Sequence, residues 1–194
     1  DVFFNGFKEL KSIYKSIRTN LNLERYLGAY FVYSMAVQTI MLIATYFGVE
    51  EIKWPNNDAT MGLIISILVI QLVAILGAFL ASRLVKYFGN IHVLIGLNLI
   101  WIGVCVFAFF METPNEFYIA AFFVGLVMGG IQSLSRSTYS KYIPDHAEDT
   151  TSYFSFYDVT EKIGIVIGMA FYGISAQLTG SLRYSIVFLI IFFV

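Results

Sequence analysis

Tyr30, Ser34 and Gln38 stand four residues apart and share one face of a helix. Tyr33 sits beside them. Phenol, hydroxyl and amide groups each donate and accept hydrogen bonds, so this face can grip a polar solute. Gln132 and Ser133 repeat the amide and hydroxyl further along the chain. Arg136 follows, and Asp158, Glu161 and Lys162 form a second charged group. Asp158 and Lys162 are four apart, which predicts an ion pair within one helix. The candidates for solute contact are therefore Tyr30, Tyr33, Ser34, Gln38, Gln132 and Ser133. The candidates for a gating charge pair are Arg136, Asp158, Glu161 and Lys162. No catalytic residue is expected. Cys105 is the sole cysteine, which excludes an internal disulfide and a cysteine-based metal cluster. His92 and His146 lie 54 positions apart, so neither a metal site nor a cofactor is expected.

The elements that hold these residues follow from composition. The chain has 194 residues, 12 Lys+Arg and 13 Asp+Glu, so 13% are charged while 58% are hydrophobic. A soluble domain carries about 25% charged residues. So few charges cannot coat a water-soluble globule with this much apolar surface. An ordinary soluble enzyme and a disordered chain are excluded. The net charge of -1 also argues against nucleic acid as a partner.

Residues 26–49, 59–82, 87–111, 117–135, 163–182 and 184–194 contain no Asp, Glu, Lys or Arg. The first five gaps approach the roughly 20 residues that a helix needs to cross hydrocarbon. The sixth is too short. Backbone groups in lipid must be bonded internally, as in helices or closed barrels. Runs such as IISILVIQLVAILGAFLA do not alternate as barrel strands do. The reading is an all-α membrane protein with five complete transmembrane helices and a truncated sixth. No signal peptide is expected, because the first apolar run starts late and is too long. The chain opens with Asp1 and reads as a piece of something longer, lacking residues at both ends.

Ten of the twelve Lys and Arg fall on one side of this topology: Lys8, Lys11, Lys15, Arg18, Arg25, Arg83, Lys86, Arg136, Lys141 and Lys162. Lys53 and Arg183 fall on the other. The basic side, with both ends of the chain, is expected to be cytoplasmic. Residues 1–22 form a separate unit, and residues 23–194 form the six-helix bundle. Phe3, Phe7, Leu10, Tyr14, Ile17 and Leu21 recur at spacings of three and four, with lysines on another face. That pattern reads as an amphipathic helix on the cytoplasmic leaflet, its lysines toward anionic headgroups. The alternative is a partly disordered linker. Trp54–Asp58 and Glu112–Asn115 are expected turns.

Transporters are often built from inverted repeats with the solute site between them. Ala36-Val37-Gln38-Thr39 in the first span parallels Gly130-Ile131-Gln132-Ser133 in the fourth. Each places an amide near mid-depth, where burial without a partner is costly. The amides either line a cavity or bond neighbouring helices. For Asp158, Glu161 and Lys162 there are likewise two readings. They are intramembrane charges, Asp158 or Glu161 exchanging partners with Arg136 or Lys162 as the protein opens and closes. Or they lie at headgroup level, where charge costs little. Gly125/Gly129 and Gly164/Gly168 are small-xxx-small pairs that let helices approach closely.

The run Gly129-Gly130-Ile131-Gln132-Ser133-Leu134-Ser135-Arg136-Ser137, with Ile143-Pro144, Phe154-x-Phe156-Tyr157-x-x-x-x-Lys162 and Gln177-Leu178-Thr179-Gly180-Ser181-x-Arg183, resembles the major facilitator superfamily. More narrowly it resembles the vacuole-effluxer-like family, whose fungal members are linked to amino-acid efflux. The resemblance implies the second six-helix half of a twelve-helix transporter, built as two three-helix inverted repeats. Its first and fourth helices would line the cavity, and its third and sixth would lie outermost. Two departures stand out. Ser34-Met35-Ala36 replaces an Asn-Asp-Gly found in many members, so no proton-coupling acid carries over there. At Ser82–Gly89, Lys86 and Tyr87 replace the acid and arginine of the superfamily's loop motif.

These readings converge on half of a secondary transporter that moves a small solute by alternating access. A non-transporting membrane scaffold is the alternative. An intramembrane serine protease fails, because Gly173-Ile174-Ser175 has no histidine after it. The expected partners are the lipid bilayer, the missing N-terminal half and a small-molecule substrate. A second copy could imitate the missing half. The expected location is the cytoplasmic membrane of a bacterium or the vacuolar membrane of a fungus.

Overall fold

A computed structural model describes residues 2–55, 58–144 and 150–194, with the backbone alone for 2–9. Asn56, Asn57, His146, the acidic run 145–149 and the side chains of Phe3, Phe7 and Lys8 lie outside the described residues. Among the described residues the chain is helical, with no strand. The order is α1 (Val2–Thr19), α2 (Leu21–Glu51), α3 (Thr60–Phe88), α4 (Asn90–Phe110), α5 (Pro114–Tyr142), α6 (Thr150–Thr179) and α7 (Leu182–Phe188). A 3-10 turn, Leu189–Phe192, follows α7.

Local chemistry sets the helix ends. The Asn20 side chain accepts from the Leu23 amide and starts α2. Its amide also donates to the Tyr142 carbonyl at 3.1 Å, tying the start of α2 to the end of α5. Thr113 and Glu116 form a capping box ahead of α5, with Pro114 in the first turn. Gly89, at φ 80°, ends α3 in a conformation that a side chain would oppose.

α2, α3, α5 and α6 hold 29 to 31 residues each. At 1.5 Å per residue they reach about 45 Å, enough to cross the hydrocarbon and project beyond it. α4 is shorter, at 21 residues. All five are long and apolar enough to span a membrane. The outer face of α3 confirms what solvent surrounds them: Met61, Leu68, Leu72 and Ile75 are more than half exposed. A surface this apolar is stable against lipid and would aggregate in water. The protein is an integral membrane protein.

Two seams hold the bundle. α3 packs on α5, and α2 packs on α6. A Cβ on Gly77 or Gly129 would collide with the backbone carbonyl of Leu126 or Ala74. One on Gly168 would meet the Met35 carbonyl at 2.9 Å and collide with the Thr39 hydroxyl. Gly77 and Gly168 occupy nearly the same position in the second helix of each three-helix set. Helices that associate without a hydrophobic driving force depend on such close backbone approach. Intramembrane hydroxyls satisfy themselves locally, Thr39 donating to the Met35 carbonyl and Ser66 to that of Gly62. Ser175 likewise donates to Phe171.

α4 meets the residue just past the 3-10 turn where fully buried Trp101 stacks on Phe193, with centroids 6.0 Å apart. At the end away from the basic loops, Arg183 joins three elements. Its Nε donates to a Glu51 carboxylate oxygen at 2.6 Å and one Nη to the Glu51 carbonyl at 3.1 Å. The other Nη donates to the carbonyls of Phe109 and Met111 at 2.8 and 2.7 Å. The guanidinium thus caps the C-terminal ends of α2 and α4, where the helix dipoles favour a cation.

The first helix departs from the leaflet-only picture. Ile17 is buried, the Ser16 hydroxyl shares a 2.7 Å hydrogen bond with the Tyr153 hydroxyl, and Tyr14 stacks on Phe156. One face of α1 therefore rests on α6 and α2, while Lys11 and Lys15 stay exposed.

Candidate functional site

A cleft of about 660 Å³ opens between α2, α5 and α6. Tyr30, Tyr33, Ser34 and Gln38 line it from α2, Gln132, Ser133 and Arg136 from α5, and Tyr157 and Glu161 from α6. Helical spacing brings the α2 group onto one wall. All six solute-contact candidates lie on this one surface. Gln38 and Gln132 each sit just past the middle of their helices, and neither hydrogen-bonds another described residue. Gln38 is half-buried and Gln132 exposed to the cleft. Ser133 turns back to the Gly129 carbonyl at 2.8 Å.

A tyrosine cluster builds the wall nearer the basic end. Tyr30 and Tyr157 stack with centroids 4.1 Å apart, Tyr33 meets Tyr30 edge-on at 5.6 Å, and Tyr139 lies 4.8 Å from Tyr157. Four hydroxyls here have defined partners. Tyr26 donates to the Ser135 carbonyl at 2.8 Å. Tyr33 shares a 2.7 Å bond with the Ser135 hydroxyl. Tyr139 donates to the Tyr153 carbonyl at 2.8 Å. Tyr30 donates to Glu161 Oε2 at 2.6 Å, bridging α2 and α6.

The charges pair otherwise than their spacing predicts. Asp158 pairs with Arg136 across helices at 3.2 Å, while Lys162 reaches Glu161 at 3.5 Å. The Asp158–Lys162 pair does not form. Arg136 also lies over the rings of Phe154 at 4.9 Å and Tyr157 at 6.0 Å. Those rings hold the guanidinium where it outcompetes Lys162, the turn neighbour, for Asp158. Asp158 and Lys162 stand outside the cleft wall, whereas Arg136 and Glu161 form part of it.

Sequence spacing missed Tyr157, Ser135 and the ring stack. The signal was present as Tyr26, Tyr30 and Tyr33 on one helix and Tyr153 and Tyr157 four apart on another. A second void, about 110 Å³, is walled by apolar residues including Phe47, Cys105 and Phe117. It offers only the hydroxyls of Thr45 and Ser66 to a polar solute. Among the described residues no three His, Cys, Asp or Glu side chains gather as metal ligands.

The chain matches the family described as "Vacuole effluxer Atg22 like" over residues 1–194. It is 35% identical to the uncharacterised MFS-type transporter YxiO of Bacillus subtilis, covering 100% of this chain and 44% of that protein. It is 28% identical to autophagy-related protein 22 of Eremothecium gossypii, over 87% of this chain and 34% of that protein. Against the Saccharomyces cerevisiae protein of the same name, identity is 26% over 94% of this chain and 36% of the relative. The chain thus spans less than half the length of the curated relatives it matches. No solved structure matches.

Proposed function

This chain belongs to the vacuole effluxer Atg22-like family, and on that premise we propose that it forms the C-terminal half of a secondary transporter. It carries a small solute by alternating access, with the α2–α5–α6 cleft as its half of the binding cavity. One observation carries the reading: two glutamine amides, free of described protein partners, face an open polar cleft near mid-helix. Interhelical glue would have bonded them to a neighbour. An unpaired amide at that depth is tolerated where water or a solute can reach it. Arg136 and Asp158 act as a gate pair at the mouth, on the cytoplasmic side by the distribution of Lys and Arg.

Amino acids are the cargo class that the family resemblance suggests, and the cleft's mix of amide, hydroxyl and aromatic groups suits them. The N-terminal half supplies the opposite wall, so residues 1–194 alone do not transport, and a second copy could fill the vacancy imperfectly. The test uses the full-length protein in proteoliposomes and a panel of radiolabelled amino acids. Uptake that falls at least about ten-fold in Gln38→Ala and Gln132→Ala supports the proposal. Absence of transport, with no thermal stabilisation by any solute in a broad screen, favours a membrane scaffold instead.

A further inference from the structure

Among the described residues, Glu161 supplies the acidic group in the cleft wall. Its side chain is only 22% exposed. Oε2 is held by the Tyr30 hydroxyl at 2.6 Å, which fixes the carboxylate across the α2–α6 seam. Oε1 has a weaker hold. Its partner is Lys162 Nζ at 3.5 Å, carried by a side chain 72% exposed and turned out of the cleft wall. One oxygen is therefore anchored, and the other is kept by a long, flexible, easily displaced cation.

The cleft's positive group is engaged differently. Arg136 is paired with Asp158 and lies over two aromatic rings. Binding an anion there would break both contacts. A cation at Glu161 displaces only the Lys162 ammonium, exchanging one ammonium for another. The stacked rings of Tyr30 and Tyr157 and the edge of Tyr33 add a polarisable wall to the same cleft.

We propose that Glu161 Oε1 is the recognition point for a protonated amine on the transported solute, and that a carboxylate on the solute is dispensable for binding. This rests on the transporter reading and narrows the solute to the ammonium-bearing class. Tyr30 acts as a positioning residue that aims the carboxylate. Lys162 is an internal competitor that occupies the site when no solute is bound.

The test is calorimetric binding to the full-length protein in nanodiscs, with no transport step. The probes share one skeleton: phenethylamine, 2-phenylethanol and 3-phenylpropionate. The wild type is expected to prefer phenethylamine over both others by about ten-fold or more, the scale of a buried charge pair. Glu161→Gln removes that preference, while Glu112→Gln, a carboxylate lost beside Lys53 at the other end of the bundle, retains it. Lys162→Ala strengthens amine binding, a gain that damage to the fold would not produce. Equal binding of amine and alcohol by the wild type overturns the proposal. So does a preference that survives Glu161→Gln, or phenylpropionate binding best. None of these results touches the transporter reading, which solute uptake tests separately.

Discussion

The α3–α5 seam sets the sharpest test of how the bundle is held. A Cβ on Gly125 would stand 2.6 Å from the Ile70 carbonyl oxygen and 3.1 Å from Val73 Cβ, where ordinary contact begins at 3.4 Å. Gly125→Ala therefore forces the two backbones apart by about 0.8 Å, at a cost of about 1–3 kcal/mol typical of overpacking. Gly129→Ala is more severe, because its new Cβ would meet the Ala74 carbonyl, a backbone atom with no rotamer to yield. Gly96→Ala and Gly103→Ala are controls. Nothing lies within 4 Å of either position. Each should gain up to about 1 kcal/mol from better helix propensity. Thermal unfolding of the full-length protein in detergent reads the series. The order expected is Gly96 and Gly103 variants at or above wild type, Gly125→Ala roughly 2–8 °C below, and Gly129→Ala lowest. If Gly129→Ala melts together with Gly96→Ala, close backbone approach does not hold α3 to α5, and the seam argument fails.

Arg183→Lys keeps the charge but loses the fork that reaches Glu51, Phe109 and Met111 together, so the melting point should fall. Arg183→Ala should fall further, by about 3–5 kcal/mol, because it leaves the Glu51 carboxylate half-buried without its cation. At the same end of the bundle, the hydrogen bond and charge of Lys53 hold the Glu112 carboxyl below the usual glutamate range. A lowered folded value contributes stability above the unfolded pKa and loses it as pH falls through the folded one. Fluorescence of nearby Trp54 should therefore show an acid transition, absent in Glu112→Gln, below the pH at which free glutamate titrates. Cysteine placed at Lys53, with every native cysteine including Cys105 changed to Ser, should react with impermeant reagent from the non-cytoplasmic side.

Much of the fold was readable because lipid imposes a simple rule: charge is excluded from spanning runs. The runs at 26–49 and 59–82 became the cores of α2 and α3, whose charged ends extend as helix beyond them. The rule says nothing about which helices touch. Gly125 and Gly129 announced a seam, and Gly77 pairs with Ala81 four residues on along α3, yet nothing in the sequence says that these two stripes face each other. Among site residues, Tyr30, Ser34 and Gln38 share a face by helical periodicity alone, so sequence placed them together. The Tyr30–Glu161 bond joins residues 131 positions apart, and no local period encodes it. The Asp158–Lys162 expectation misled for the same reason. A cross-helix partner, Arg136, lay outside the spacing rule and won.

The account's central claim is that lipid surrounds the outer helix faces while water enters the cleft. Single cysteines at Gln38, Gln132 and Leu72, in full-length protein with every native cysteine including Cys105 changed to Ser and reconstituted in liposomes, test it with a water-soluble thiol reagent. The account predicts rapid labelling at positions 38 and 132 and almost none at 72. Labelling at Leu72 with protection at both glutamines would contradict it.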